Sequence, residues 1–149
     1  MFKLIKKLNR QLEAVLFPLT GIMIIILITM VLFSLFYPFK PVILHEPITV
    51  PQVQVVAGES VDIHFDLEKN TNIKPQIQWF LIDGFIQELA TSSVNRSTGD
   101  QEFESRKYIP AQTPPGIYHI RVEATYDINF LRKIHYSWDT NEFEVLAKE

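Results

Sequence analysis

The chain has 149 residues, a formal net charge of −3, 47% hydrophobic residues and no cysteine. Without cysteine there are no disulfides, thiolate metal sites, thiol nucleophiles, covalent haem attachment or lipid acylation on sulfur. The charge offers no positive field for nucleic acid, and the length allows one domain once an apolar N-terminal part is set aside.

That apolar part is the first element. No charged residue occurs from Ala14 to Phe39, and the run "GIMIIILITMVLFSLFY" is almost wholly aliphatic and aromatic. A helix needs roughly 20 apolar residues to cross a bilayer core. A cleaved signal peptide would call for a shorter apolar stretch followed by small residues, whereas this run ends in "FSLFYPFKP", which suits an interfacial aromatic belt. Residues 14–38 are therefore expected to be an uncleaved single transmembrane helix in contact with membrane lipid. Lys3, Lys6, Lys7 and Arg10 precede it, and only Lys40 follows before Lys69. Basic flanks stay on the cytoplasmic side, which predicts a single-pass protein of the cytoplasmic (inner) membrane, N-terminus in, with a periplasmic or extracellular C-terminal domain. Leu4, Leu8, Leu12 and Val15 recur at helical spacing, so residues 1–13 read as a cytoplasmic basic amphipathic segment lying along the inner surface. Pro18 and Gly21 fall near the start of the span, where a membrane helix tolerates a kink. The span holds no charged residue, so the helix itself shows no catalytic or ion-conducting role.

Residues 39–50 come next, within "YPFKPVILHEPITVP", with prolines at 38, 41, 47 and 51. Such density favours extended chain at about 3.1 Å per residue, and a semi-rigid stalk is expected.

From residue 51 to 149 the periodicity is that of strands. In "VDIHFDL", Val61, Ile63, Phe65 and Leu67 fall on one face and Asp62, His64 and Asp66 on the other. "QVQVV" precedes it as a shorter strand, through the turn "AGES", and "KNTNIKP" follows as a polar loop. "QIQWFLI" carries Trp79 and runs through an Asp83-Gly84 turn into "FIQELA". "SSVNRSTGD" reads as loop, "EFESRKYI" and "IYHIRVEATY" as strands, and "RKIHYSW" and "EFEVL" as a last strand or strand pair interrupted around "DTN". About seven short strands at close spacing, with no helix among them, predict an all-β antiparallel sandwich.

In "TPPGIYHI", Pro114 and Pro115 fix φ and end the preceding hydrogen bonding, and Gly116 can supply the positive φ that a sharp reversal often needs. Tyr118 then shares a face with Ile120, Val122 and Ala124. At this point the sequence resembles the immunoglobulin-like sandwich, in which a Tyr near the start of strand F makes a tyrosine corner. Tyr118 matches that Tyr, Ile120 stands at a cysteine position, and Trp79 resembles the core Trp of strand C. Ile63 or Phe65 then stands at the cysteine position of strand B. The resemblance implies structural roles for Trp79, Tyr118 and Gly116; it implies fold and not function. The Pro-Pro-Gly-x-Tyr strand followed by the turn from Tyr126 to Asn129 is also similar to small membrane-anchored proteins of tailed phages and bacteria, which implies a binding or structural role at a bacterial inner membrane.

Candidate chemistry is sparse. Asp62, His64, Asp66 and Glu68 share a strand face, but residues two apart lie about 6.5–7 Å from each other and converge on a metal only with help from another strand. A solvated outer face accounts for them, and no metal or cofactor is expected. His119, Arg121 and Glu123 form another outward face suited to cross-strand pairing. Asn95-Arg96-Ser97 matches a glycosylation acceptor, a pattern that arises easily by chance. No assembled nucleophile and base is visible, so no enzymatic activity is expected.

The functional expectation rests on "YDINFLRKIHYSW". Read as the F–G hairpin, it places Phe130 and Leu131 at the tip, followed by Arg132 and Lys133. Apolar tip residues either mark an interaction site or close the end of the core. In an immunoglobulin-like sandwich the start of strand A lies at the same end as the B–C and F–G loops, so a tether at the N-terminus puts this tip on the tethered side. The expected function is a membrane-anchored, non-enzymatic binding or structural module with a protein partner. The alternative is an accessory subunit of a membrane enzyme or transporter complex.

Overall fold

In a computed structural model, residues 2–93 and 97–148 are described, with the backbone alone for residues 2–15. The Leu4, Leu8 and Leu12 stripe therefore lies outside the described side chains, and Asn95 and Arg96 lie outside the described residues. The chain forms two compact units, Met1–Pro38 and Phe39–Glu149.

The first unit is the helix α1 (Phe2–Phe36), whose stretch Leu16–Phe36 has mean hydropathy 2.7. Its length and composition fit a membrane anchor or a signal sequence. Within the apolar stretch, the Thr20 hydroxyl donates to the Leu16 carbonyl at 2.7 Å and the Thr29 hydroxyl to the Ile25 carbonyl at 2.8 Å. Each hydroxyl thus finds its partner inside the helix, as an apolar surrounding requires.

The second unit is a two-sheet sandwich of β1 (Val42–Leu44), β2 (Gln54–Val56), β3 (Ser60–Lys69), β4 (Gln76–Ile82), β5 (Ile86–Ser93), β6 (Gly99–Tyr108), β7 (Gly116–Asn129), β8 (Arg132–Asp139) and β9 (Phe143–Leu146). One sheet has the order β1-β3-β6, and the other β2-β9-β7-β4-β5 with β8 also on β7. Pairing is antiparallel except between β2 and β9, which run parallel. The alternation in β3 sends Val61, Ile63 and Phe65 inward against Trp79 and Leu81 of β4 and Ile120 and Val122 of β7. Phe65 meets Trp79 edge-on at 5.6 Å and stacks on Phe103 at 4.6 Å. These aromatic contacts add to the area buried at the centre of the core.

Two expectations are corrected here. Residues 39–50 are not a stalk. Pro41, Val42, Ile48 and Val50 are buried, and Ile48 keeps 2% of its surface. The segment runs along β3: the Asn70 N–H donates to the Pro41 carbonyl at 2.9 Å, and Thr49 exchanges backbone bonds with His64 at 3.2 and 2.8 Å. Prolines are admissible there because an edge segment has N–H groups that no ladder needs, while the apolar residues between them reach the core. Gly116, in turn, does not have a positive φ; among the glycines that property belongs to Gly58, Gly84 and Gly99. Gly116 instead opens β7 in close approach, since an added Cβ would lie 3.4 Å from the Tyr118 ring and 3.7 Å from the Asp83 carboxylate.

The "DTN" interruption has a physical role. There the chain leaves β8 for β9, and two side chains take over the backbone pairing. Thr140 Oγ1 accepts the Ile120 N–H at 3.0 Å, and the Asn141 amide accepts the Val50 N–H at 2.7 Å while donating to the Val50 carbonyl at 2.9 Å. Buried backbone groups that lose a strand partner are satisfied this way at little cost.

Tyr118 closes the corner. Its hydroxyl donates to the Pro114 carbonyl at 2.9 Å, four residues upstream, and the ring is buried. Tyr118→Phe leaves that carbonyl unpaired and should lower stability by about 1 kcal/mol. The urea unfolding midpoint of the full-length protein in detergent checks this; an unchanged midpoint would show that the hydroxyl holds nothing.

Candidate functional site

The β7–β8 hairpin is built from alternating pairs. On its outer face Arg121 holds Asp139 with two bonds of 2.7 and 3.0 Å, Thr125 Oγ1 meets His135 Nδ1 at 2.9 Å, and Lys133 Nζ lies 3.1 Å from Asp127. His119 stands 3.9 Å from the same Asp139 carboxylate. The carboxyl of Asp139 is accordingly held below its usual range, chiefly by the Arg121 hydrogen bonds. Arg121 and His119 are thus occupied by cross-strand pairing.

Near the tip the ladder slips between Asp127 and Asn129, leaving Ile128 as a bulge. A bulge re-aims the residues that follow it. Ile128 turns inward and packs with Val42, Ala124 and Tyr126. Phe130 and Leu131 then form the turn, where the Leu131 N–H donates to Asn129 Oδ1 at 2.9 Å. Phe130 is 94% exposed and Leu131 44%. The end of the core is therefore closed by Ile128, and Phe130 stands in solvent. Because Val42 packs in the same cluster as Ile128, the tip lies at the end of the sandwich where the chain enters from residue 39. Of the flanking cations, Lys133 is engaged by Asp127, and Arg132 is half-buried at the start of β8.

The outer face of the other sheet is acidic. Register sets Asp66 opposite Glu102 and Glu68 opposite Asp100, two like-charge pairs of a kind that destabilises a sheet. Asp62 is separately engaged, 2.7 Å from Arg106 and 3.0 Å from the Gln52 amide, and its carboxyl is held low first by the Arg106 hydrogen bond. His64 lies 3.3 Å from Glu104. The four residues singled out on β3 do not converge. His45, Glu68 and Asp100 do approach, with donor atoms within 4.8 Å of one another, but they are surface groups and His45 and Asp100 already bond each other at 3.2 Å.

No protein-family model and no curated protein sequence matches this chain. Among solved structures, the alkylpurine DNA glycosylase AlkC of Pseudomonas fluorescens, bound to DNA containing an abasic site analogue, aligns with TM-score 0.45 and 18% identity over 73% of this chain and 31% of that one. A Niemann-Pick type C2 protein from the Japanese carpenter ant gives TM-score 0.45 and 8% identity over 68% of this chain and 90% of that one. The CARDB domain of a Pyrococcus furiosus protein gives 0.39 and 13% over 74% and 98%. At these scores the likenesses carry nothing about fold family or function.

A second exposed tip lies outside the residues that the sequence pattern singles out. Phe85 in the β4–β5 turn is 84% exposed and Ile86, which opens β5, 69%, at the opposite end of the sandwich from Phe130. Gly84 takes a φ of 93° there, as the Asp83-Gly84 pair predicts. The signal was available in "DGF": an aromatic placed directly after a turn glycine belongs to the turn before it belongs to the strand.

Proposed function

We propose that this protein is a membrane-anchored, non-enzymatic binding module displayed outside the cytoplasmic membrane, which takes a protein partner on the β7–β8 tip. The observation that supports this is the exposure of Phe130 at 94% on a hairpin whose core-closing role is already filled by Ile128. An exposed aromatic at a hairpin turn adds little to the fold and supplies the large apolar contact on which interface hot spots are built. Leu131 widens the apolar contact, and the Lys133–Asp127 pair with Arg132 supplies a polar rim.

A photo-crosslinking residue at position 130 of the full-length protein, irradiated in native membranes, should give a discrete protein adduct. Replacing Phe130 and Leu131 by Ser should weaken partner association at least tenfold, a typical hot-spot effect of about 1.4 kcal/mol or more, with the unfolding midpoint held. Survival of association together with a fall in stability would make the tip part of the core and the reading wrong. Adducts formed instead from the helix, near Thr20 and Gly21, would favour an accessory subunit of a membrane complex.

A further inference from the structure

The inner face of β6 departs from the rest of the core. Its inward positions are Gln101, Phe103, Ser105 and Lys107, all half-buried, and β6 is the edge of its sheet. β5, the edge of the other sheet, approaches it without pairing. Between the sheets lies a partly open cavity of about 240 Å³ whose walls include Phe65, Trp79, Phe103, Tyr126 and Trp138, with Lys107 and Ser92 on the β5–β6 side. Apolar cavities of about 150 Å³ already take up benzene.

Lys107 makes this more than a packing defect. Its Nζ lies 4.1 Å from the centre of the Trp79 ring, a cation–π contact inside an apolar wall. Burial disfavours its charged form and pushes its pKa down. Among the described residues no carboxylate pairs with it; Glu104 also borders the cavity, but it is exposed and bonded to His64 at 3.3 Å. A half-buried ammonium facing apolar walls without a counter-ion is complementary to an anion carried on an apolar chain.

We propose that the cavity between the sheets binds a single-chain amphiphile with a carboxylate head, such as a short fatty acid, its chain against Trp79, Phe103, Tyr126 and Trp138 and its carboxylate on Lys107 Nζ. This site is independent of the hairpin tip.

The test uses full-length protein in phosphatidylcholine nanodiscs, with chain-brominated octanoate as the probe and brominated octanol as its neutral counterpart. Trp79 and Trp138 are the two tryptophans of the chain and both line the cavity, so an occupant quenches their fluorescence. Octanoate should quench saturably. Lys107→Gln should weaken octanoate by about tenfold, the worth of one charge-assisted contact, and leave octanol unchanged. Ala124→Leu, which fills the cavity from β7, should abolish quenching by both probes while the unfolding midpoint is kept. The Phe130→Ser, Leu131→Ser protein should bind octanoate like the parent, which separates this site from the tip. Equal binding of alcohol and acid, no effect of Lys107→Gln, or quenching that never saturates would each overturn the proposal.

Discussion

Trp79→Ala is expected to cost about 3–5 kcal/mol, the range for removing a large aromatic from a packed core. Trp79 is 2% exposed, meets Phe65 edge-on at 5.6 Å, and carries Lys107 on its ring at 4.1 Å. It also forms part of the wall of the 240 Å³ cavity, so the space left by the indole merges with a void already present. Neighbours on β3 and β4 are held by ladders on both sides and have little freedom to collapse inward. The indole N–H donates to Ser92 Oγ at 3.4 Å, a long bond whose loss adds little. Trp79→Phe keeps most of the ring and should cost less than half as much. Urea unfolding of the full-length protein in detergent, followed by Trp138 fluorescence, measures both. A loss below about 1 kcal/mol for the alanine variant would show that the void relaxes and that the two sheets are not rigidly spaced.

Much of the sandwich was legible because period two is strong wherever one face is buried. β3, β4 and β7 carry their inward residues in strict alternation, and Tyr118 took the corner its sequence position announces. β1 was not legible, because four prolines between residues 38 and 51 outweigh the short apolar alternation of Val42, Leu44, Ile48 and Val50. What rescues that segment is non-local: the Asn141 side chain and the backbone of β3 supply its partners. The parallel pairing of β2 with β9 was hidden for the same reason. The candidate tip was readable as a hairpin, but which apolar residue enters the core depends on a one-residue bulge. Ile128 and Phe130 have the same parity along the chain, but Ile128 sits in the bulge and packs inward while Phe130 falls in the turn. The polar inner face of β6 gave no warning at all, since its alternation of Phe103 with Glu102 and Glu104 reads as an ordinary half-buried strand.

The second large effect is expected in alkali. Tyr118 and Tyr126 are both buried, and both phenols are pushed up to about 12 from 10.0. Burial is the main cause in each case; beside Tyr118 the Asp83 carboxylate adds to it, and beside Tyr126 the negative charge of the Tyr136 phenolate does. A phenol whose folded value lies above its unfolded value binds its proton more tightly in the native state. Its contribution is therefore complete below pH 10 and is lost as pH rises from 10 towards 12. Two pH units correspond to about 2.7 kcal/mol for each tyrosine, so the pair removes up to about 5 kcal/mol, a large share of a small domain's stability. Lys69 and Lys107 act with the opposite sign. Burial holds both below 10.5, so the unfolded chain binds the extra protons and stability rises with pH until 10.5 is reached. Above that value the loss belongs to the phenols. Urea midpoints of the full-length protein should fall steeply between pH 10.5 and 12; burial also pushes the Tyr136 phenol up, so Tyr118→Phe and Tyr126→Phe should each flatten the fall by less than half. A slope that survives both substitutions would mean that other groups drive alkaline unfolding, and that the two rings are reached by solvent before the fold opens.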